Sequence, residues 1–310
     1  MQTASAVQNP YLTEAGIHWL GHDDSDTDLR SNPYLVVDYG PHGREAVLID
    51  PGSALQAEWL VQELLRLIEP DELRYVVVQH QDPDICAALP TLEQYFPSFV
   101  VVAHWRAAVL VKHYGVSRPF VYPERNEHRL TLQSGRVPRF LHAPYAHSPA
   151  SLMTYDQASG VLFSGDLFGA FTREPELVAS EYYLEAMALF HENYIPSNEI
   201  LRLAMGQVRS LQRSHGLKWV LPQHGLFLTG EMIEKAVASL EKLECGDYLL
   251  PLRRALHSPE NAYAEVFAEI HRLAIAVFGH ALWSERLAAT GWQASYLQHS
   301  ANLNSSGCVC

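Results

Sequence analysis

The sequence predicts an α/β protein made of two sheets covered by outer helices, followed by a helical extension. Three observations carry that expectation. Early strand-like runs come in pairs across short turns, later ones alternate with helical patterns, and from about Thr229 onward the pattern is almost entirely helical.

The first strand-like runs fall at residues 17–20, 34–38 (just after Pro33) and 46–49, with a turn within residues 38–43 joining the second to the third. Residues 54–68 then place Leu60, Leu64 and Leu67/Ile68 on one helical stripe. A β-branched run at 75–78 is followed by residues 85–95, which read as a helix that Asp84 can cap. Residues 99–103 read as a strand and 105–114 as a helix. The remaining strand-like runs are 151–155, 161–163 and 218–221, with a helical pattern at 181–191 between the last two. Helices are expected at 231–244, 261–279 and 281–289. The natural division is a domain over residues 1–250 and a helical C-terminal extension with its tail over 251–310.

Composition narrows the function. The formal net charge is −13, which disfavours nucleic acid or an anionic membrane as partner, since both reward clustered Lys and Arg. No apolar run reaches the roughly 18 residues of a membrane span, and the polar N-terminal stretch lacks a secretory h-region, so a cytoplasmic location is expected. Hydrophobic residues make up 48% of the chain, enough for a large core. Four cysteines do not make a disulfide scaffold. Cys86 and Cys245 read as small core or near-surface residues, while Cys308 and Cys310 end a Gly/Ser/Asn-rich tail with nothing basic before it to support a lipid anchor. No Gly-rich strand-to-helix phosphate loop occurs, so no flavin or nucleotide domain is signalled.

The most informative segment is Gln79-His80-Gln81-Asp82-Pro83-Asp84-Ile85-Cys86, directly after the 75–78 run. In an extended loop, alternation brings His80, Asp82 and Asp84 to one side while Gln81 and Pro83 face away. An imidazole and two carboxylates so arranged have the outline of a metal site; turn residues with a helix cap give the same letters. Three more segments each set a potential ligand beside a strand-like run: His147 before 151–155, Asp166 after 161–163 and His224 after 218–221. Each alone is an ordinary loop residue, and the case rests on their joint arrangement.

In this order the residues resemble the metallo-β-lactamase superfamily, whose fold is an αββα sandwich with metal ligands on loops at one end. The resemblance covers about residues 17–228. Zinc hydrolases of that superfamily carry His-x-His-x-Asp-His, whereas here Asp82 stands at the second histidine and Ile85 at the last. A carboxylate at the second position marks the flavodiiron branch, with His-x-Glu-x-Asp. The words His147-Ser148-Pro149-Ala150-Ser151 and Ser164-Gly165-Asp166-Leu167-Phe168-Gly169 are also similar to that branch. The resemblance implies His80, Asp82 and His147 on a first iron, Asp84 and His224 on a second, and Asp166 bridging. Hard carboxylate ligands favour iron or manganese over zinc.

The missing flavin domain and the missing histidine at Ile85 both shift the expectation from turnover to reversible binding of dioxygen. The chain therefore resembles the stand-alone oxygen-binding diiron proteins linked to oxygen sensing and chemotaxis signalling. Alternatives are an oxygen or nitric oxide reductase fed by an external electron donor, and a hydrolase on the same fold, against which Asp82 and Ile85 speak. Beyond dioxygen, a signalling protein or electron donor is the expected partner, and a homodimer is plausible for the family.

Further residues stand near the implied site. Tyr194 is expected to hydrogen-bond bound oxygen through its phenol. Tyr182 and Tyr183 are expected to pack in the core, and His142 to be an ordinary loop histidine. His18, His22, His104 and His271 are assigned no role. The stripe Val266, Phe267, Ile270, Leu273, Ala274, Val277 and Phe278 reads as core or dimer surface.

Overall fold

A computed structural model describes residues 10–21, 30–172, 176–246, 270–275 and 277–289. Its first sheet holds six strands in sequential order: β1 (Ile17–Trp19), β2 (Tyr34–Gly40), β3 (Gly43–Ile49), β4 (Leu73–Val78), β5 (Val100–Ala103) and β6 (Phe120–Val121). The first three pair antiparallel, and β3 through β6 run parallel. The β2–β3 turn is tighter than expected, because Asp38 to Gly40 continue the strand and pair down to Gly40 opposite Gly43.

The second sheet runs β11-β10-β9-β8-β7, where β7 is Pro138–His142, β8 Leu152–Asp156, β9 Val161–Phe163, β10 Trp219–Leu221 and β11 Leu228–Thr229. Only β9 and β10 are parallel within it. The helices are α1 (Pro10–Glu14), α2 (Ala57–Leu67), α3 (Pro83–Cys86), α4 (Leu89–Tyr95), α5 (Trp105–Val111), α6 (Tyr183–Tyr194), α7 (Asn198–His215), α8 (Glu231–Lys242) and, in the extension, α9 (His280–Ala289).

Strand alternation explains the layering. In β2, Tyr34 and Val36 join a cluster with Val77, Phe140, Phe163 and Phe227 between the sheets, while Leu35 and Val37 turn the other way. That outward set packs with Leu60, Leu64, Leu92 and Val111 of the covering helices. On the second sheet Met153, Tyr155 and Leu162 face Met187, Leu201, Met205, Val208 and Leu240 from α6, α7 and α8. Helix, sheet, sheet and helix therefore stack as an αββα sandwich. Each fully buried leucine on these faces contributes about 1.5–3 kcal/mol of transfer free energy.

Helix α7 was not expected, although its signals are present. Ser197 accepts from the Glu199 N–H as N-cap, Gly216 closes the helix with φ 69°, and Leu201, Ala204, Met205, Val208 and Leu211 are buried along it.

The chain divides into two compact units, Met1–Cys245 and Gly246–Cys310. Within the second, Trp283 Nε1 donates to His271 Nδ1 at 2.8 Å, which gives that histidine a partner. Of the apolar stripe, Val266 and Phe267 lie outside the described residues; Ala274 is buried, whereas Ile270, Leu273, Val277 and Phe278 are exposed. Cys86 and Cys245 are buried and form no disulfide, and Cys308, Cys310 and His22 lie outside the described residues. No helix among the described residues is long and apolar enough to cross a membrane.

Candidate metal centre

Topology brings four loops to one end of the sandwich. Strand β4 runs parallel to its neighbours and delivers His80 and Asp82 just past its end. The extended run stops at Asp82, with φ −71° and ψ 152°, and Pro83 opens α3. Proline suits that position, where its missing N–H would have no intrahelical partner. Asp84 thus lies inside the first helical turn rather than on a straight continuation, and it does not cap the next helix.

In the second sheet β8 is antiparallel to β9, so the loop before β8 and the loop after β9 share an end; they carry His147 and Asp166. Strand β10, parallel to β9, ends on that side too and is followed by His224.

Asp166 sits between two groups of donors. Its Oδ2 lies 2.6 Å from His147 Nε2 and 3.4 Å from His80 Nε2, and its Oδ1 lies 3.6 Å from His224 Nε2. Asp82 Oδ2 joins the first group, 3.4 Å from His147 Nε2 and 3.7 Å from His80 Nε2. Asp84 Oδ2 joins the second, 3.0 Å from His224 Nε2. The ligand atoms of His80, His147 and Asp166 all lie within 4.8 Å of one another, as a metal ion requires.

The donors are also left wanting. His80 Nε2, Asp166 Oδ1 and His224 Nε2 are buried with no hydrogen-bond partner, an arrangement costly unless a cation completes it. Nitrogen and carboxylate oxygen in this ratio suit iron.

The surrounding chain fixes the donors' orientation. His224 Nδ1 lies 2.8 Å from the Arg30 carbonyl, which can only accept, so Nδ1 carries the proton and Nε2 offers a lone pair in the neutral ring. Asn32 donates to the Pro222 and Gly225 carbonyls, both at 3.0 Å, and braces the same loop. The Tyr183 hydroxyl donates to the Phe168 carbonyl at 2.6 Å and accepts from the Leu226 N–H at 3.2 Å, tying the Asp166 loop to the His224 loop. Gly225 has φ 88°, and a Cβ there would collide with that hydroxyl, so glycine is required. Beneath the first loop, Asp50 accepts from the Gln79 N–H at 2.8 Å and from Gln79 Nε2 at 2.7 Å.

Electrostatics echo the geometry. Burial works to raise Asp166, but His80, His147 and His224 outweigh it and hold the carboxyl well below the usual range. Burial opposes charge on His224, yet the neighbouring Asp84 and Asp166 carboxylates push it up to about 9. His147 is raised for the same reason, chiefly by Asp166 against its own burial. Without a cation, Asp166 and Asp84 thus favour the charged forms of His147 and His224.

All six implied ligands therefore meet at one end of the fold. Tyr194 lies beside them, its ring edge-on to His147 with centroids 5.5 Å apart. Tyr183 is buried as expected, but Tyr182 is 91% exposed and packs in no core. Ile85 is wholly buried in the apolar cluster of the first sheet's outer face. His142 stacks on His104 with centroids 4.5 Å apart, outside the donor groups. Buried His191 donates from Nδ1 to the Met187 carbonyl at 2.7 Å and accepts from the Phe168 N–H at 3.2 Å. Burial brings it down to about 4, so it is a neutral brace for the Asp166 loop. Sequence reasoning missed the support given by Asp50, Asn32, Tyr183 and His191, because each reaches across many residues to a backbone atom or loop.

A family of proteins described as ODP family beta lactamase matches residues 29–225. The chain belongs to that family. Among solved structures, the apo state of the chemotaxis sensor ODP from T. denticola resembles it with a TM-score of 0.61 and 25% identity, covering 76% of this chain and 98% of that one. Among curated proteins, a putative diflavin flavoprotein A 1 of Thermosynechococcus vestitus is 31% identical over 150 residues, 45% of this chain and 26% of its own length. The anaerobic nitric oxide reductase flavorubredoxin of Enterobacter sp. is 27% identical over 234 residues, 67% of this chain and 47% of its own. This ODP-family chain thus spans half or less of those two curated relatives.

Proposed function

We propose that this chain holds two iron ions and binds dioxygen reversibly, as an oxygen sensor in signalling. The observation that carries the reading is the divided carboxylate of Asp166, with His80, Asp82 and His147 around one oxygen and Asp84 and His224 around the other. His80, Asp82 and His147 would hold one ion and Asp84 and His224 the other, with Asp166 shared between them. When bound, a ferrous pair supplies two electrons to dioxygen, short of the four that reduction to water needs. The protein's own part is to orient the donors and brace their loops. Beside them Tyr194 packs on His147, and Phe190 and Phe171 pack on Tyr194 and on each other. Sensing is supported by the likeness to a structure of a chemotaxis sensor, nearly all of whose chain is covered.

The test is optical. Anaerobic protein loaded with ferrous iron should develop a new absorption band on exposure to oxygen, hold it, and lose it on degassing. Continuous oxygen uptake with release of water or hydrogen peroxide would overturn reversible binding. A second reading, reduction of nitric oxide or oxygen with an external electron donor, draws on the flavorubredoxin relative. Steady turnover with a rubredoxin-like or flavin-bearing donor would favour it.

A further inference from the structure

We infer that Gln81 is a positioning residue of the centre: its carboxamide clamps Asp82 to the His147 loop and leaves one Asp82 oxygen for the metal. The inference rests on the dinuclear reading above. On a simple alternating segment Gln81 faces away from its neighbours' site. Instead its Nε2 donates to Asp82 Oδ1 at 2.7 Å, and its Oε1 accepts from the Ser148 hydroxyl at 2.6 Å. The Asp82 end fixes the amide orientation, because a carboxylate only accepts and so must meet the NH2, and the Ser148 hydroxyl then donates to the remaining oxygen. Ser148 is buried, and its oxygen also takes the Ala150 N–H at 3.3 Å, so the far end of the clamp is anchored. The near end is anchored as well: the Gln81 carbonyl accepts from the Tyr114 hydroxyl at 3.0 Å.

Asp82 needs such a restraint. It occupies the N-cap of α3, where an aspartate ordinarily turns its carboxylate onto the free N–H groups of the first turn. Here it makes no such bond. Gln81 holds Oδ1, and Oδ2 is turned toward His147 and His80. Asp82 is also far less enclosed than Asp166, with side chains 31% and 6% exposed, so packing alone does not fix its rotor. The clamp diverts a capping residue into a ligand pocket and ties two ligand loops together through one side chain.

The full-length protein, loaded anaerobically with ferrous iron, gives the test. Iron per chain and the rates at which a chelator strips it are compared in wild type, Gln81→Leu, Gln81→Glu and Ser148→Ala. Gln81→Glu preserves volume but sets an acceptor against Asp82. A positioning role requires both Gln81 variants to release one of two irons about 10- to 100-fold faster, with the other at the wild-type rate. Ser148→Ala, which touches no ligand atom, shifts the same phase less and carries the test if a Gln81 variant fails to fold. Unaltered release in Gln81→Glu, or equal acceleration of both irons, overturns the role of Gln81 alone. A wild type that holds fewer than two irons overturns the dinuclear reading, and this inference with it.

Discussion

Asp166 offers its two oxygens to different histidines, Oδ2 at 2.6 Å from His147 Nε2 and Oδ1 at 3.6 Å from His224 Nε2. Asp82 and Asp84 each face one group only. Removing the shared carboxylate and removing an unshared one should therefore differ in kind. Asp166→Ala is expected to abolish iron binding altogether, whereas Asp84→Ala keeps about one iron per chain. Elemental analysis after gel filtration decides it. A full complement in Asp166→Ala would show the ligand assignment to be wrong.

Asp50 supports the first ligand loop without facing the donors. It is buried, has φ 50°, and accepts both donors of Gln79, the residue before His80. Asparagine tolerates that backbone, so Asp50→Asn isolates the polar effect. One of the two Gln79 donors then meets an NH2 instead of an oxygen. The expected loss is about 1–3 kcal/mol in urea unfolding of the metal-free protein. A change within about 0.5 kcal/mol, the size of an ordinary surface substitution, would mean that the pair adds little.

Much of this was legible in the residues. The strand-like runs at β4, β5, β9 and β10 fall within two residues of the observed bounds, because a buried strand must be apolar on both faces. The six candidate ligands fall in loops flanking such strands, and the resemblance to the flavodiiron branch singled them out there. Edge strands β6, β7 and β11 were not seen: they are short, and β7 is punctuated by Pro138, Arg139 and His142. The bend at Pro83 was misjudged for a local reason. Proline disfavours helix at the residue before it, not at itself, so Asp82 stays extended while Asp84 enters a turn. Gln81 was set aside on alternation, which breaks where the strand ends.

Acidity gives a third test. In the metal-free protein His224 titrates at about 9, above its ordinary 6.5, because Asp84 and Asp166 outweigh its burial. A group with a raised folded pKa stabilises while protonated, so its contribution is complete below about 6.5 and disappears as pH rises through 9. His147 acts in the same direction. Asp50, raised by burial from 3.8 to about 7, loses its share over the lower window. Melting of the metal-free protein between about pH 7 and 8.5 should therefore report the histidines, with Tm falling across that range; above it the buried Cys86 thiol, raised from 9.0, adds a fall of its own. Iron requires neutral imidazoles, so the loaded protein should lack that fall and should release protons on loading at pH 7. A metal-free Tm that is flat or rising above pH 7 would contradict the proposed charge balance.

Tyr194 separates ring from hydroxyl. Its ring meets His147 at 5.5 Å and Phe190 at 4.9 Å between centroids, and the residue is 45% exposed. Tyr194→Phe keeps both ring contacts, so iron content and melting should match wild type. If the hydroxyl holds bound oxygen by one hydrogen bond of about 0.5–1.5 kcal/mol, the optical change should reverse about 2- to 12-fold faster on degassing. Tyr194→Ala removes the ring as well and should additionally weaken iron retention by freeing the His147 imidazole. Reversal at the wild-type rate in Tyr194→Phe would restrict Tyr194 to packing against His147 and leave oxygen binding to other groups.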